Sequence, residues 1–265
     1  MGDVATAAGE EGFHAPTLDE FFPEPFLFAG TPFAINRVIM IRLLAVAVIV
    51  VIFVLFAKRA KLVPGRAQAA AETLLDFVRV QIGHEIIGKE RTDRYMPALL
   101  TIFIGLFFMN ITGVIPGLQL AGTSIVGMPL IYAVYAWFIF VIAGVKEHGG
   151  LGYLKASVAP SGVPGPIYLL LSPLEFVSTF FVRPLSLAIR LLSAMVSGHF
   201  LLVLCFAATH ALYLSMGGVA GVGLGSLTLG AGVAFILLEA FIAALQAYIF
   251  TLLTAVYISL SVEAH

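Results

Sequence analysis

Apolar positions run through this chain in long unbroken stretches, not in alternating singles, and those stretches lay out its elements. Residues 38–57 are the first stretch long enough to cross a bilayer, for which about 20 apolar residues suffice. Arg42 lies near enough to the outer end of this span to snorkel. Lys58, Arg59, Lys61 and Arg66 follow at once, which by the positive-inside rule puts the chain on the cytoplasmic side. Over 66–88 charges return at helical spacing while Leu75, Val78, Ile82 and Ile86 keep an apolar stripe, so the pattern predicts an interfacial amphipathic helix. Its His84-Glu85 pair reads as part of the solvated polar face. A second span is predicted from Pro97 to Ile115, ended by Pro116-Gly117, and a third from Met128 to Val145, returning to Lys146 and Lys155. A Gly/Pro-rich loop over 149–166 closes this half.

The second half is built differently. From Ile167 to about Thr209 the sequence is apolar for roughly twice the length a perpendicular span needs, so the segment must tilt, bend or run along the membrane. Pro173 and Pro184 are the predicted bends. A Gly-rich stretch, 215–230, reads as a turn or weak helix, and Ala231 to Val262 forms a second overlong segment. The expectation is an all-α polytopic membrane protein with about five membrane-embedded helices. These include a long, tilted C-terminal hairpin over about 167–262, and one interfacial amphipathic helix accompanies them. Residues 1–36 are expected as a separate tail and 37–265 as a single membrane domain.

Composition agrees: 60% of the 265 residues are hydrophobic and 11% charged, which excludes a soluble core. Charge is distributed unevenly, with six acidic groups and no Lys or Arg in residues 1–36. That segment lacks the basic start of a signal peptide and reads as a non-cytoplasmic tail, which places the C-terminus inside. Such a charge pattern gives no footing for nucleic acid. Cys205 is the lone cysteine, set in an apolar run, and His14 stands alone, so neither a disulfide, a metal site nor a cofactor is expected.

The candidate chemistry lies on the hairpin. Arg190 stands deep inside an apolar run, with no carboxylate three or four residues away on either side. A guanidinium keeps its proton at any working pH, and even the lower estimates put a mid-membrane Arg at about 2.5–3.5 kcal/mol. Its partner must therefore come from another segment or another chain. Arg183, Ser186, Ala194 and Ser197 share its face, which is small or polar apart from the arginines. On the second long segment Glu239, Gln246 and Tyr257 share one face, seven and then eleven residues apart. His199 lies on the first, nine residues beyond Arg190 and on the opposite face. An imidazole beside a carboxylate can relay protons or form a buried structural hydrogen bond. Asn110, with Thr112, places polar groups in the second span, serving either helix packing or a wet path. Two rival classes are weaker: a secondary transporter should show internal repeats, and a serine hydrolase using Ser197 and His199 would need groups that here point about 200° apart.

Several stretches resemble subunit a of the F-type ATP synthase over most of residues 35–265. They are Arg-Pro-Leu-Ser-Leu-Ala-Ile-Arg-Leu (183–191), Ser-Gly-His (197–199), Leu-Gln-Ala-Tyr-Ile-Phe-Thr-Leu-Leu-Thr-Ala-Val-Tyr (245–257) and Phe-Phe-Met-Asn (107–110). The resemblance implies a non-catalytic, proton-translocating stator subunit, making and breaking no bonds itself. It would conduct protons through two offset half-channels to and from carboxylates of a rotating c-ring, coupling the flow to ATP synthesis or hydrolysis. Arg190 then matches the essential arginine, His199 and Glu239 the coupled polar pair, and Gln246 the glutamine of the last helix. Asn110, Ser186 and Tyr257 are weaker channel-lining candidates, as is Glu175, which lies one residue further from Arg183 than is common. The acid and imidazole are exchanged relative to many members, as in mitochondrial and some bacterial ones. Leu192-Ser193-Ala194 replace the family's usual Phe, small residue and Asn, so no asparagine role carries over. Implied partners are the c-ring, the peripheral-stalk b subunits, the rest of the complex and the lipid bilayer. The implied location is a bacterial plasma membrane, with the mitochondrial inner membrane as the alternative.

Overall fold

In the computed structural model the described residues are 34–59, 61, 64–115, 118, 120–158, 165–215 and 218–263, without the side chains of 155–158, 165–170 and 215. All but the end of the acidic tail, the Pro116-Gly117 stop and the middle of the 149–166 loop lie outside them. The described residues form eight α-helices: α1 (Arg37–Arg59), α2 (Arg66–Phe77), α3 (Lys89–Ile111), α4 (Gly127–His148), α5 (Gly150–Val158), α6 (Gly165–Val177), α7 (Arg183–Ser215) and α8 (Gly218–Glu263). Two π-helical stretches are inserted, Val78–Ile87 after α2 and Ser178–Val182 between α6 and α7. Five helical segments are long and apolar enough to cross a membrane: α1, α3, α4, Leu171–Leu214 and α8.

The core forms where α3, α4, α7 and α8 meet. Leu99, Ile102 and Leu106 of α3, Ala133, Ala136 and Phe140 of α4, and Leu187, Leu191, Phe250 and Ile258 of the hairpin form one buried cluster. The predicted amphipathic stripe is real, since Val78 and Ile82 are fully buried in this core while Leu75 and Ile86 pack at its edge. The positive φ of Gly88, 89°, turns the chain into α3, and Thr92 caps the corner by donating its hydroxyl to the Gly88 carbonyl at 2.7 Å.

α1 is peripheral. It buries Val38, Ile41 and Ala45 and leaves Leu43, Leu44, Val50 and Val51 exposed, an apolar surface suited to lipid. Its start is tied to the connection between α3 and α4. Arg37 Nη2 donates to the Leu118 carbonyl and Arg42 Nε to the Gly122 carbonyl, each at 2.8 Å. Arg42 thus binds a loop carbonyl where snorkelling was expected. At the other end, which carries the basic cluster, the His148 Nε2 lies 3.0 Å from the Val262 carbonyl and Arg91 pairs with Glu147 at 3.3 Å.

Two expectations need correction. The 149–166 stretch is helical over α5, and residues 218–230, read as a turn or weak helix, belong to the continuous 46-residue α8. The expected bend at Pro184 is a π-helical turn. Proline has no N–H and its ring crowds the carbonyl four residues back, at Phe180; winding Ser178–Val182 wider relieves this, and the Arg183 amide donates to the Ser178 carbonyl.

Candidate functional site

α7 and α8 form an antiparallel pair held in one register. From the end remote from the basic cluster, Tyr213 hydroxyl meets Ser226 hydroxyl at 3.0 Å, and Thr209 donates to Thr228 at 2.9 Å. The Phe206 ring covers Gly232, and near the basic end the Arg183 guanidinium lies 5.4 Å from the centroid of the Tyr257 ring. At about 1.5 Å per residue, α8 is about 69 Å long against a hydrocarbon core of about 30 Å, so the pair must lean steeply if it stays within a bilayer.

On α8, Gly225, Gly232, Glu239 and Gln246 recur every seventh residue and all are buried. Repetition at that interval keeps one stripe against a neighbour inclined by some 20°. Two positions in the stripe are glycine because α7 presents rings there, Tyr213 over Gly225 and Phe206 over Gly232. At Glu239 the fit reverses: the glycine, Gly198, is on α7, and its missing Cβ would stand 3.1 Å from Glu239 Oε1.

Glu239 and Gln246 are each 5% exposed, and neither Glu239 Oε2 nor Gln246 Nε2 meets a hydrogen-bond partner among the described residues. Buried polar atoms without partners are costly, at about 1–3 kcal/mol each, so each of these calls for an explanation. His199 is half-buried and lines a cleft of about 400 Å³ with Gly113, Val114, Phe206 and Ile236. Ile236 lies one turn before Glu239, and Gly113 follows directly after the Asn110 region. The cleft therefore lies toward the end remote from the basic cluster.

Arg190 is placed otherwise. It is exposed, near the middle of the apolar segment Leu171–Leu214, and it has no ion pair among the described residues. Ser193 and Ser197 are exposed with it, whereas Leu187, Leu191 and Met195 face the core. Gln246 falls within about a turn of Arg190 in the α7–α8 register.

The remaining candidates are distributed around this centre. Asn110 is 1% exposed; its Oδ1 accepts from the Thr123 hydroxyl at 2.6 Å while its Nδ2 has no partner among the described residues. Ser186 spends its hydroxyl on the Arg183 carbonyl at 2.9 Å. Tyr257 is held between Phe140, at 5.7 Å between ring centroids, and Arg183. Glu175 is half-buried on α6, set apart from the Glu239–Gln246 stripe. Sequence reasoning gave no role of their own to two contributors, Gly198 and Thr123. A small residue beside a membrane histidine, opposite a glutamate on the next helix, was the signal available for Gly198.

Five membrane-length helices, ending in a hairpin that buries a carboxylate and an amide and exposes an arginine, define a polytopic helical membrane protein with charged groups inside its apolar zone. A family model described as ATP synthase A chain matches residues 38–259. The chain is 43% identical to the ATP synthase subunit a of Rhodococcus erythropolis over 98% of its own length and 94% of the relative's. It is 37% identical to that of Pseudarthrobacter chlorophenolicus over 98% of both chains. It is also 38% identical to that of a Nocardioides species over 97% and 93%. The chain belongs to the ATP synthase A chain family.

Proposed function

We propose that this chain is the stator subunit of the membrane sector of a bacterial ATP synthase, conducting protons between two offset half-channels and the carboxylates of a rotating c-ring. One observation carries the reading: Arg190 is exposed, in mid-span, on a face of small hydroxyl residues, and the described residues of its own chain supply it no anion. In a bilayer that cation needs a carboxylate from another chain. A ring of carboxylates sweeping past would be ionised on arrival, because a fixed positive charge stabilises the charged form. The same charge repels an excess proton and so blocks a direct leak between the channels.

His199 and Glu239 would serve the half-channel on the side remote from the basic cluster. The cleft brings water to His199, and the Glu239 carboxylate, seated on Gly198, accepts and returns the proton. Gln246, buried without a partner for its amide N–H among the described residues, would orient water nearer to Arg190. Asn110 would extend the polar lining toward the cleft mouth, and Glu175 would belong to the path on the basic side. Residues 1–36 would form the non-cytoplasmic tail and 37–265 the single membrane domain, in the plasma membrane with b subunits and the catalytic assembly as partners.

Cross-linking tests the reading directly. In a Cys205→Ser background, Ser193→Cys and Ser197→Cys should each form disulfides with cysteines introduced on the outer helix of the c-ring, and Leu187→Cys, on the core face, should not. Absence of ring adducts at both serine positions in an intact complex would sink the proposal.

A further inference from the structure

At the basic end of α1 a cleft of about 470 Å³ brings apolar Ile52, Leu55 and Phe56 together with Arg59, Lys61 and Arg66. All three cations are exposed, and none has an ion pair among the described residues. Arg59 ends α1, Arg66 begins α2, and Lys61 between them is tied to α2. The Lys61 amide donates to Gln68 Oε1 at 3.1 Å, and Gln68 Nε2 donates back to the Lys61 carbonyl at 2.9 Å and to Glu72 Oε1 at 2.8 Å. That last bond engages the Glu72 carboxylate and turns it toward Gln68.

The cleft does not end there. A second groove, of about 630 Å³, shares Ile52, Phe56, Ala67 and Gln68 with the first and continues between α1, α2 and α3 past Phe53, Leu74, Leu75, Ile104 and Phe108. One continuous groove thus has three cations at its mouth and an interior that is apolar but for Gln68 and Glu72, which are bonded to each other.

We propose that this groove is a binding site for an anionic glycerophospholipid, its phosphate between Arg59, Lys61 and Arg66 and one acyl chain along α1, α2 and α3. Guanidinium and ammonium donors match phosphate oxygens, and basic pockets between membrane helices on the side marked by positive charge take acidic headgroups. A transmembrane helix of a neighbouring subunit would match the apolar interior but leave the three cations unanswered, and free phosphate would leave the interior empty. Only an amphiphile with an anionic head answers both halves.

The test uses the intact complex in nanodiscs of neutral phosphatidylcholine doped with phosphatidylglycerol bearing a photoreactive group in one acyl chain. Adducts should map to residues of α1, α2 and α3 that line the groove. Unlabelled phosphatidylglycerol should compete, while added phosphatidylcholine or inorganic phosphate should not. Labelling should fall at least five-fold in the combined Arg59→Gln, Lys61→Gln, Arg66→Gln variant. Ala71→Trp, which fills the apolar part and leaves every charge in place, should lower it as well, and decides between site and no site if the triple variant fails to assemble. Equal labelling by a neutral photoreactive lipid would overturn the proposal. So would cross-linking of an Ala71→Cys probe to a neighbouring subunit in place of lipid.

Discussion

The carboxyl group of Glu239 rests on the bare backbone of Gly198, the residue before His199, so that a methyl group on Gly198 would stand 3.1 Å from Glu239 Oε1. Gly198→Ala should therefore displace the carboxylate by a few tenths of an ångström, and Gly198→Val by more. Overpacking of this kind costs about 1–3 kcal/mol. In membrane vesicles, ATP-driven proton pumping should fall severalfold with alanine and nearly vanish with valine, while the complex still assembles. Wild-type pumping by an assembled Gly198→Val complex would show that the carboxylate's position is unimportant.

For Arg190 the charge should matter more than the bulk. Arg190→Ala and Arg190→Gln should abolish coupled pumping while passive proton conductance persists or rises. Arg190→Lys should recover little, because a compact ammonium lacks the planar fork that matches a carboxylate. Both activities should be measured on one vesicle preparation; ATP synthesis at the wild-type rate by an assembled Arg190→Ala complex would end the assignment.

His199 and Glu239 should behave as a unit. Loss of either should impair flux, and His199→Glu combined with Glu239→His should restore part of it, the non-additivity that marks coupled sites. Proton pumping by the two single variants and the double variant measures this, and simple additivity would assign the two residues independent roles.

Thr123→Val removes the only hydrogen bond found for the buried Asn110 side chain among the described residues. The expected loss is about 1 kcal/mol of stability, seen as a lower thermal midpoint of the detergent-solubilised complex. Asn110→Leu with Thr123→Val should be less damaging than Thr123→Val alone, since it leaves no orphaned amide. The reverse order would mean that Asn110 is held by something other than Thr123.

Single cysteines at Arg66 and Val126, in the Cys205→Ser background, should label from opposite sides of oriented membranes, Arg66→Cys from the cytoplasmic side. Labelling of both from one face would overturn the proposed orientation.

Much of this architecture was legible because lipid simplifies the code. Runs of about 20 apolar residues read as spans, the stripe Val78 and Ile82 read as a buried face, and the seven-residue interval from Glu239 to Gln246 put them on one side. The misreadings share a cause. Glycine costs about 1 kcal/mol in a helix exposed to water, so 218–230 looked weak. Gly225 and Gly232 instead receive the rings of Tyr213 and Phe206, and the backbone of a segment in lipid satisfies itself best as helix. Likewise Pro184 announced a disturbance but not its form, because a wider turn and a kink answer the same missing N–H. The bond between Arg42 and the Gly122 carbonyl joins residues 80 apart, and no local pattern encodes it.

The seventh-residue stripe on α8 would have a mechanical meaning in the proposed stator. Its bumps and hollows alternate in size and change sides, with rings of α7 seated over Gly225 and Gly232 and the Glu239 carboxylate seated over Gly198. Sliding α8 along α7 by even one turn, about 5.4 Å, would drive rings into side chains and the carboxylate off its glycine. The pair is therefore keyed like a shaft in its slot. In the role proposed above, a lateral load from the c-ring would meet the pair as one keyed unit, and Arg190 and Glu239 would keep their spacing.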